Sequence, residues 1–227
     1  MPDVPKIFPL GDNALTVDFG NEISPDLNDR AISLATQLSD NPFPGFIEAV
    51  PAYSSVAVFY DPAVARLAGS TAFRSVADFI RRNLDLTVQR AADATRSIDI
   101  TVDFSDKAAL DMDFLVGHSG RRRDEVIEIF LARTYRVYML GFLPGFAYMG
   151  EVDERIAAPR RPSPRLKVPE GSVGIAGQQT GIYPLESPGG WQIIGRTDVE
   201  MFTRRREPSC LLKPGDEVRF ICPAAVP

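Results

Sequence analysis

The chain has 227 residues, 44% hydrophobic and 24% charged, with a formal net charge of −5. That length fits one large domain or two small ones, each able to bury a core. The acidic balance excludes an ordinary nucleic-acid binder, which needs a basic surface to neutralise phosphates.

The N-terminal stretch MPDVPKIFPLGDNALTVDFG lacks the basic region and apolar run of a secretory leader. Within it ALTVDF puts Leu15, Val17 and Phe19 on one face, the period of a strand. Ser24-Pro25 then opens a helix, with Leu27, Ala31, Leu34, Ala35 and Leu38 on one stripe and Asn41-Pro42 ending it. FIEAVPAY and SSVAVFYD read as a strand pair. A second helix follows, with Phe73, Val76, Ala77, Ile80 and Leu84 facing inward. The order ββαββα predicts a small α+β sandwich, one sheet covered by two helices, over residues 1–90. Around Asp85–Ser97 the sequence turns polar, as a linker does.

Residues 91–227 read as a second, mostly β barrel domain with loops crowded on one side. SIDITVDF restarts a strand with Ile98, Ile100, Val102 and Phe104 alternating, and RRRDEVIEIFLA is helical. His118, in VGHSG, is expected in a loop joining helices, at the surface or as a cap. From Leu140 to Gly195 glycine and proline recur too often for a long helix, and short apolar pairs lie between the breaks. Pro214-Gly215-Asp216 predicts a turn before a final strand. The stretch YMLGFLPGFAYMG, Tyr138 to Gly150, is too apolar for a solvent loop and too short for a membrane span of about 20 residues. It must turn tight corners while its rings pack.

The two cysteines, Cys210 and Cys222, form no CxxC pair and no disulfide framework, which fits a reduced, cytoplasmic setting. One histidine excludes His-rich metal sites and most Ser-His-Asp triads, so no metal is expected. There is no GxxxxGK(S/T) and no GxGxxG. The arginine runs at 81–82, 121–123, 160–161 and 204–206 read first as solvated faces or local ion pairs, and otherwise as docking or anion-binding surfaces.

What remains is a dense polar cluster, Pro162 to Thr197. Its glycines would let backbone amides approach an anionic ligand. Arg165 and Lys167 alternate on an extended segment, so both can point the same way. Gln178, Gln179 and Thr180 add uncharged donors and acceptors, Glu186 a carboxylate and Arg196 a further cation. These seven are the candidate ligand contacts, with Glu186 and Lys167 the candidate reacting groups. The alternative is a barrel whose polar residues satisfy its own tight turns. The pattern predicts a small polar or anionic ligand and names no reaction.

Tyr135 to Phe146, with its YxVYxxGFxPGF signature, resembles the B subunit of 5-oxoprolinase, a family also called allophanate hydrolase subunit 1 or KipI. The resemblance continues through Pro164-Arg165, Val168-Pro169, Gly171 to Gly177, Gln179 to Pro184, Ser187 to Gly195 and Leu212 to Phe220. It implies an N-terminal α+β domain and a cyclophilin-like C-terminal barrel. It implies two partners, a C-type subunit (KipA, or allophanate hydrolase subunit 2) and an A-type subunit. It also implies ATP, with Mg, bound in the complex, where 5-oxoproline is opened to glutamate; no membrane or nucleic acid takes part. On this view Arg165, Lys167, Gln178, Gln179, Thr180, Glu186 and Arg196 contact ATP or substrate, and Tyr138–Gly150 shapes a pocket wall or the joint with the partner.

The chain departs from the family pattern at Phe130-Leu131-Ala132, where a histidine and two serines are usual. Three alternatives follow. One is a KipI-like protein that inhibits a signalling kinase. Another is a diverged paralogue, allophanate hydrolase-like, with a different amide substrate or none. The third, on barrel type alone, is a prolyl isomerase.

Overall fold

The structure, a computed structural model, describes residues 4–67, 69–84 and 95–223. The chain divides into two compact units, Met1–Ala94 and Thr95–Pro227. Most of the polar stretch expected to link them, residues 85–94, lies outside the described residues; Ser97 already begins a strand.

The first unit runs β1 (Lys6–Pro9), β2 (Ala14–Asp18), α1 (Pro25–Asp40), β3 (Phe46–Pro51), β4 (Ser55–Tyr60), α2 (Pro62–Ala65) and α3 (Ala72–Asn83). Its strands pair antiparallel in the order β1-β2-β4-β3. Leu15 opposes Val58 and Val17 opposes Val56, so the apolar alternation of both strands falls on one face. That face shares a buried cluster with Ala31, Leu34 and Leu38 of α1 and Val76, Ala77 and Ile80 of α3. The helix stripes read from the sequence are therefore core stripes. Thr71 caps α3 by accepting the Arg74 N–H, and Asp61 caps α2 by accepting that of Ala63. The strand KIFP takes the first place of the expected ββαββα order, though no residues were assigned to it, and the one-turn α2 is an addition; each has four residues, too few for a period to declare itself.

The second unit contains β5 (Ser97–Thr101), α4 (Met112–Ser119), α5 (Arg123–Leu131), β6 (Thr134–Leu140), β7 (Ala147–Gly150), β8 (Arg165–Val168), β9 (Ser172–Ala176), β10 (Gln179–Ile182), β11 (Ser187–Gly189), β12 (Gln192–Arg196) and β13 (Glu217–Ile221). Seven strands form one curled, half-barrel sheet in the order β12-β9-β10-β7-β6-β13-β5, and β8 and β11 make a separate ribbon. Just past β5, Asp103 exchanges both backbone hydrogen bonds with Arg196 of β12, at 2.7 and 2.9 Å, joining the outer strands of the sheet. The fold is thus mixed α+β in each unit. The loop expected around His118 is a helix: α4 runs through it to Ser119, Gly120 caps the end, and His118 stacks on Phe114 one turn earlier.

Tyr138–Gly150 turns its corners as a hairpin, the end of β6 and the whole of β7 joined by a turn over residues 141–146. Phe146 at its base is buried and meets Tyr148, Tyr183 and Trp191 edge-on, with ring centroids 4.8–5.5 Å apart. Gly145 has φ +82°, and a Cβ there would lie 2.7 Å from that of Phe202, so only glycine passes this corner.

Candidate functional site on the second unit

Of the seven candidate contacts only Arg165 reaches a shared centre, and that centre is a residue that the sequence did not single out. Asp111, at the start of α4, has a side chain only 3% exposed. Its Oδ1 accepts from Arg161 Nη1 and Arg165 Nη2, and its Oδ2 from Arg165 Nη1 and the Ile193 backbone N–H, all at 2.7 Å. Every lone-pair direction of the carboxylate is engaged, which is the condition for keeping a charge out of water. Through it the 161–165 segment, α4 and β12 are tied together. Arg165 is a clamp within the fold.

The remaining candidates do not share one pocket of contacts. Lys167 Nζ lies 3.1 Å from Glu186 Oε1, and the two side chains are 79% and 56% exposed. Thr180 is fully buried, and its hydroxyl donates to the Gly174 carbonyl across the β9–β10 hairpin at 2.9 Å. Gln178 donates to Glu154 at 3.2 Å, and Arg196 Nε donates to the Glu170 carbonyl at 2.8 Å. Gln179 lies in β10, between Ala176 and Gly150 of the neighbouring strands. The glycines expected to admit a ligand admit the protein instead. A Cβ on Gly189 would meet the Tyr183 hydroxyl at 2.4 Å, one on Gly195 would meet Val102 at 2.6 Å, and one on Gly181 Phe146 at 2.9 Å.

These groups do not fit ATP as a set. A triphosphate needs several unengaged cations and amides in one concavity, whereas Arg165 is held by Asp111 and Lys167 by Glu186. Neither do the described residues include a group of three His, Cys, Asp or Glu side chains placed for a metal ion.

Two features that the sequence reading held only within longer stretches, the arginine run 160–161 and Tyr138–Gly150, stand out beside the clamp. Arg160 lies over the Trp191 ring, 5.8 Å from its centroid, and has no carboxylate partner among the described residues. Burial pushes the Tyr183 phenol up, opposed by the Trp191 backbone N–H that its oxygen accepts and by Arg160 and Arg165 nearby. The second feature is Phe142, a residue 60% exposed on the hairpin turn. Phe130, at the position of the usual family histidine, is fully buried. It stacks on Phe220 at 4.9 Å and packs on Tyr135 at 5.0 Å. The Tyr135 hydroxyl donates to the Phe130 carbonyl at 2.8 Å, and burial pushes that phenol up as well. In this chain the position belongs to the core.

A two-unit chain with this half-barrel and hairpin matches the carboxyltransferase domain, subdomains C and D, over residues 5–212, and the chain belongs to that family. More narrowly, it belongs with the B subunits of 5-oxoprolinase. It is 39% identical over 220 residues to the 5-oxoprolinase B subunit of Bacillus subtilis, covering 95% of this chain and 92% of that one. With the Escherichia coli O157:H7 protein of the same name it shares 34% identity over 216 residues, 95% of each chain. The crystal structure of TTHA0988 superposes with a TM-score of 0.79 at 36% identity, covering 94% of this chain. Only 40% of that longer chain is matched.

Proposed function

We propose that this chain is the B component of an ATP-dependent amide or lactam hydrolase that opens 5-oxoproline to glutamate together with C-type and A-type subunits. The observation that carries the reading is the near full-length likeness to proteins named as B subunits of 5-oxoprolinase, at 39% and 34% identity. The geometry is consistent with a subunit and not with a self-sufficient enzyme. Beside the aromatic cluster, Arg160 is the cation left without a carboxylate among the described residues, and the candidate reacting pair, Lys167 and Glu186, neutralise each other in solvent. The reaction is ring opening of a lactam at the expense of ATP, with the nucleotide held mainly by the partners. This chain contributes a fixed wall: the Asp111 clamp holds the 161–165 segment against β12, so Arg160, exposed over the buried Trp191 ring, stands where a partner or an anionic substrate can meet it. The second unit is read as a cyclophilin-like barrel and the first as an α+β sandwich, supported by the Asp103–Arg196 closure and the shared helix–sheet core. The setting is the cytoplasm; no helix among the described residues is long and apolar enough to cross a membrane.

The test is ADP release by the three chains together, with 5-oxoproline compared against the acyclic amide allophanate. Release that depends on 5-oxoproline supports the reading. Release with allophanate alone replaces the substrate, and a stable complex with neither activity overturns the enzymatic assignment.

A further inference from the structure

Phe142 is displayed at a conformational cost. Its φ is +69°, the one positive value at a non-glycine residue in the chain's described part. The Leu143 N–H donates to the Gly141 carbonyl at 2.8 Å, which makes Phe142 the centre of a γ-turn with positive φ, a rare and strained form. A bulky L residue avoids this region because its Cβ crowds the backbone. Such strain persists only where the surroundings hold it, and it collects at functional positions. Here the turn is fixed by two further backbone bonds, Phe146 N–H to the Leu143 carbonyl and Gly141 N–H to the Phe146 carbonyl.

The ring gains little packing in return. It makes perpendicular contacts with Phe146 and Tyr183, with centroids 5.5 and 6.5 Å away, and the residue stays 60% exposed. Glycine would satisfy the turn without strain. A large aromatic ring held out rigidly on a β-hairpin has the features of an interface anchor, which is rigid, apolar and centrally placed. The charges nearby specify what it meets. Phe142 touches Phe146, Phe146 touches Trp191, and Arg160 stands over Trp191 with no carboxylate of its own among the described residues. An apolar anchor joined through one ring cluster to an unneutralised guanidinium is complementary to an apolar pocket with an acidic rim.

We propose that the Phe142 turn is the anchor by which this chain holds its C-type partner, Phe142 entering an apolar pocket and Arg160 meeting a carboxylate at its rim. This rests on the multi-subunit reading above. It also accords with TTHA0988, where the matched region is 40% of a longer chain and the fold is accompanied by further polypeptide.

The experiment is calorimetric titration of the C-type subunit with the wild-type chain and with Phe142→Ala, Phe142→Gly and Arg160→Glu, each variant also followed by thermal melting. Truncating an anchor is expected to raise Kd about thirty-fold or more, and Arg160→Glu to raise it by a smaller factor. Phe142→Gly is expected to melt at or above the wild-type temperature while losing the same affinity, because it removes the ring and the strain together. Wild-type affinity in Phe142→Ala overturns the proposal, as does a clear drop in the melting temperature of Phe142→Gly, which would make the ring a packing residue. A self-dimer of the isolated chain that Phe142→Ala dissociates would make the occupant a second copy and overturn it too. If the wild-type chain itself does not bind the C-type subunit, the multi-subunit reading fails first and the anchor with it. The wild-type titration alone tells that case from the others.

Discussion

Arg165 and Lys167 stand two residues apart on one strand, both cationic and both facing a carboxylate, and they do opposite things. Arg165 reaches a buried Asp111 through two parallel hydrogen bonds, reinforced by Arg161 and the Ile193 amide. Lys167 meets Glu186 in solvent through a single contact of 3.1 Å. The first arrangement is a geometric lock: with one partner gone, a charge is left buried and unmatched. The second is screened and entropically loose, of the kind that contributes little. Cation spacing along a strand thus predicts which side a charge takes and says nothing of what it finds there.

Breaking the lock gives the largest expected effect. Asp111→Ala should cost about 3–5 kcal/mol and lower the melting temperature by roughly 10 °C, read by calorimetry or circular dichroism. Phe130→His, which restores the residue usual in the family, should cost about 2–4 kcal/mol because it puts a polar ring among Phe104, Tyr135 and Phe220; no gain of turnover should accompany it. The double change Lys167→Met with Glu186→Gln should alter stability by less than about 1 kcal/mol. A hundredfold loss of turnover from it, with folding intact, would return the pair to candidacy as reacting groups.

The smallest effect is a pH dependence at a second, partly buried carboxylate. Asp153 accepts from the Arg155 side chain and backbone and from Arg133, which holds its carboxyl well below the usual carboxylate range. Its folded-state value is depressed, so its contribution is fully present above about pH 4, where the unfolded group is ionised. It is lost as the pH falls through the lower folded-state value. Melting temperatures measured between neutral and strongly acidic pH should fall at the acid end, and Asp153→Asn should flatten that fall.

Much of the fold was legible because its signals are local. The alternation in ALTVDF and SVAVFY, the stripe from Leu27 to Leu38 and the turn at Pro214-Gly215-Asp216 each lie within one element, where period and turn chemistry decide. Helix α4 was not legible, because MDFLVGHS is short, holds a glycine and buries only Met112 and Leu115. The site was the least legible part. Asp111 meets partners 50, 54 and 82 residues away, and no spacing rule links them. Thr180 looked like a ligand donor because a hydroxyl in a glycine-rich segment has no visible partner in one dimension; in three it has the Gly174 carbonyl. Phe142 could have been suspected from the sequence: an aromatic between Gly141 and the Leu143-Pro144-Gly145 corner must pack or be displayed, and only the backbone angle decides which.

The decisive measurement is a titration of this chain into fixed amounts of the A-type and C-type subunits, following 5-oxoproline-dependent ADP release. Almost no release is expected without it, rising to a plateau as it matches the C-type subunit in amount. Full release from the other two subunits alone would contradict the assignment.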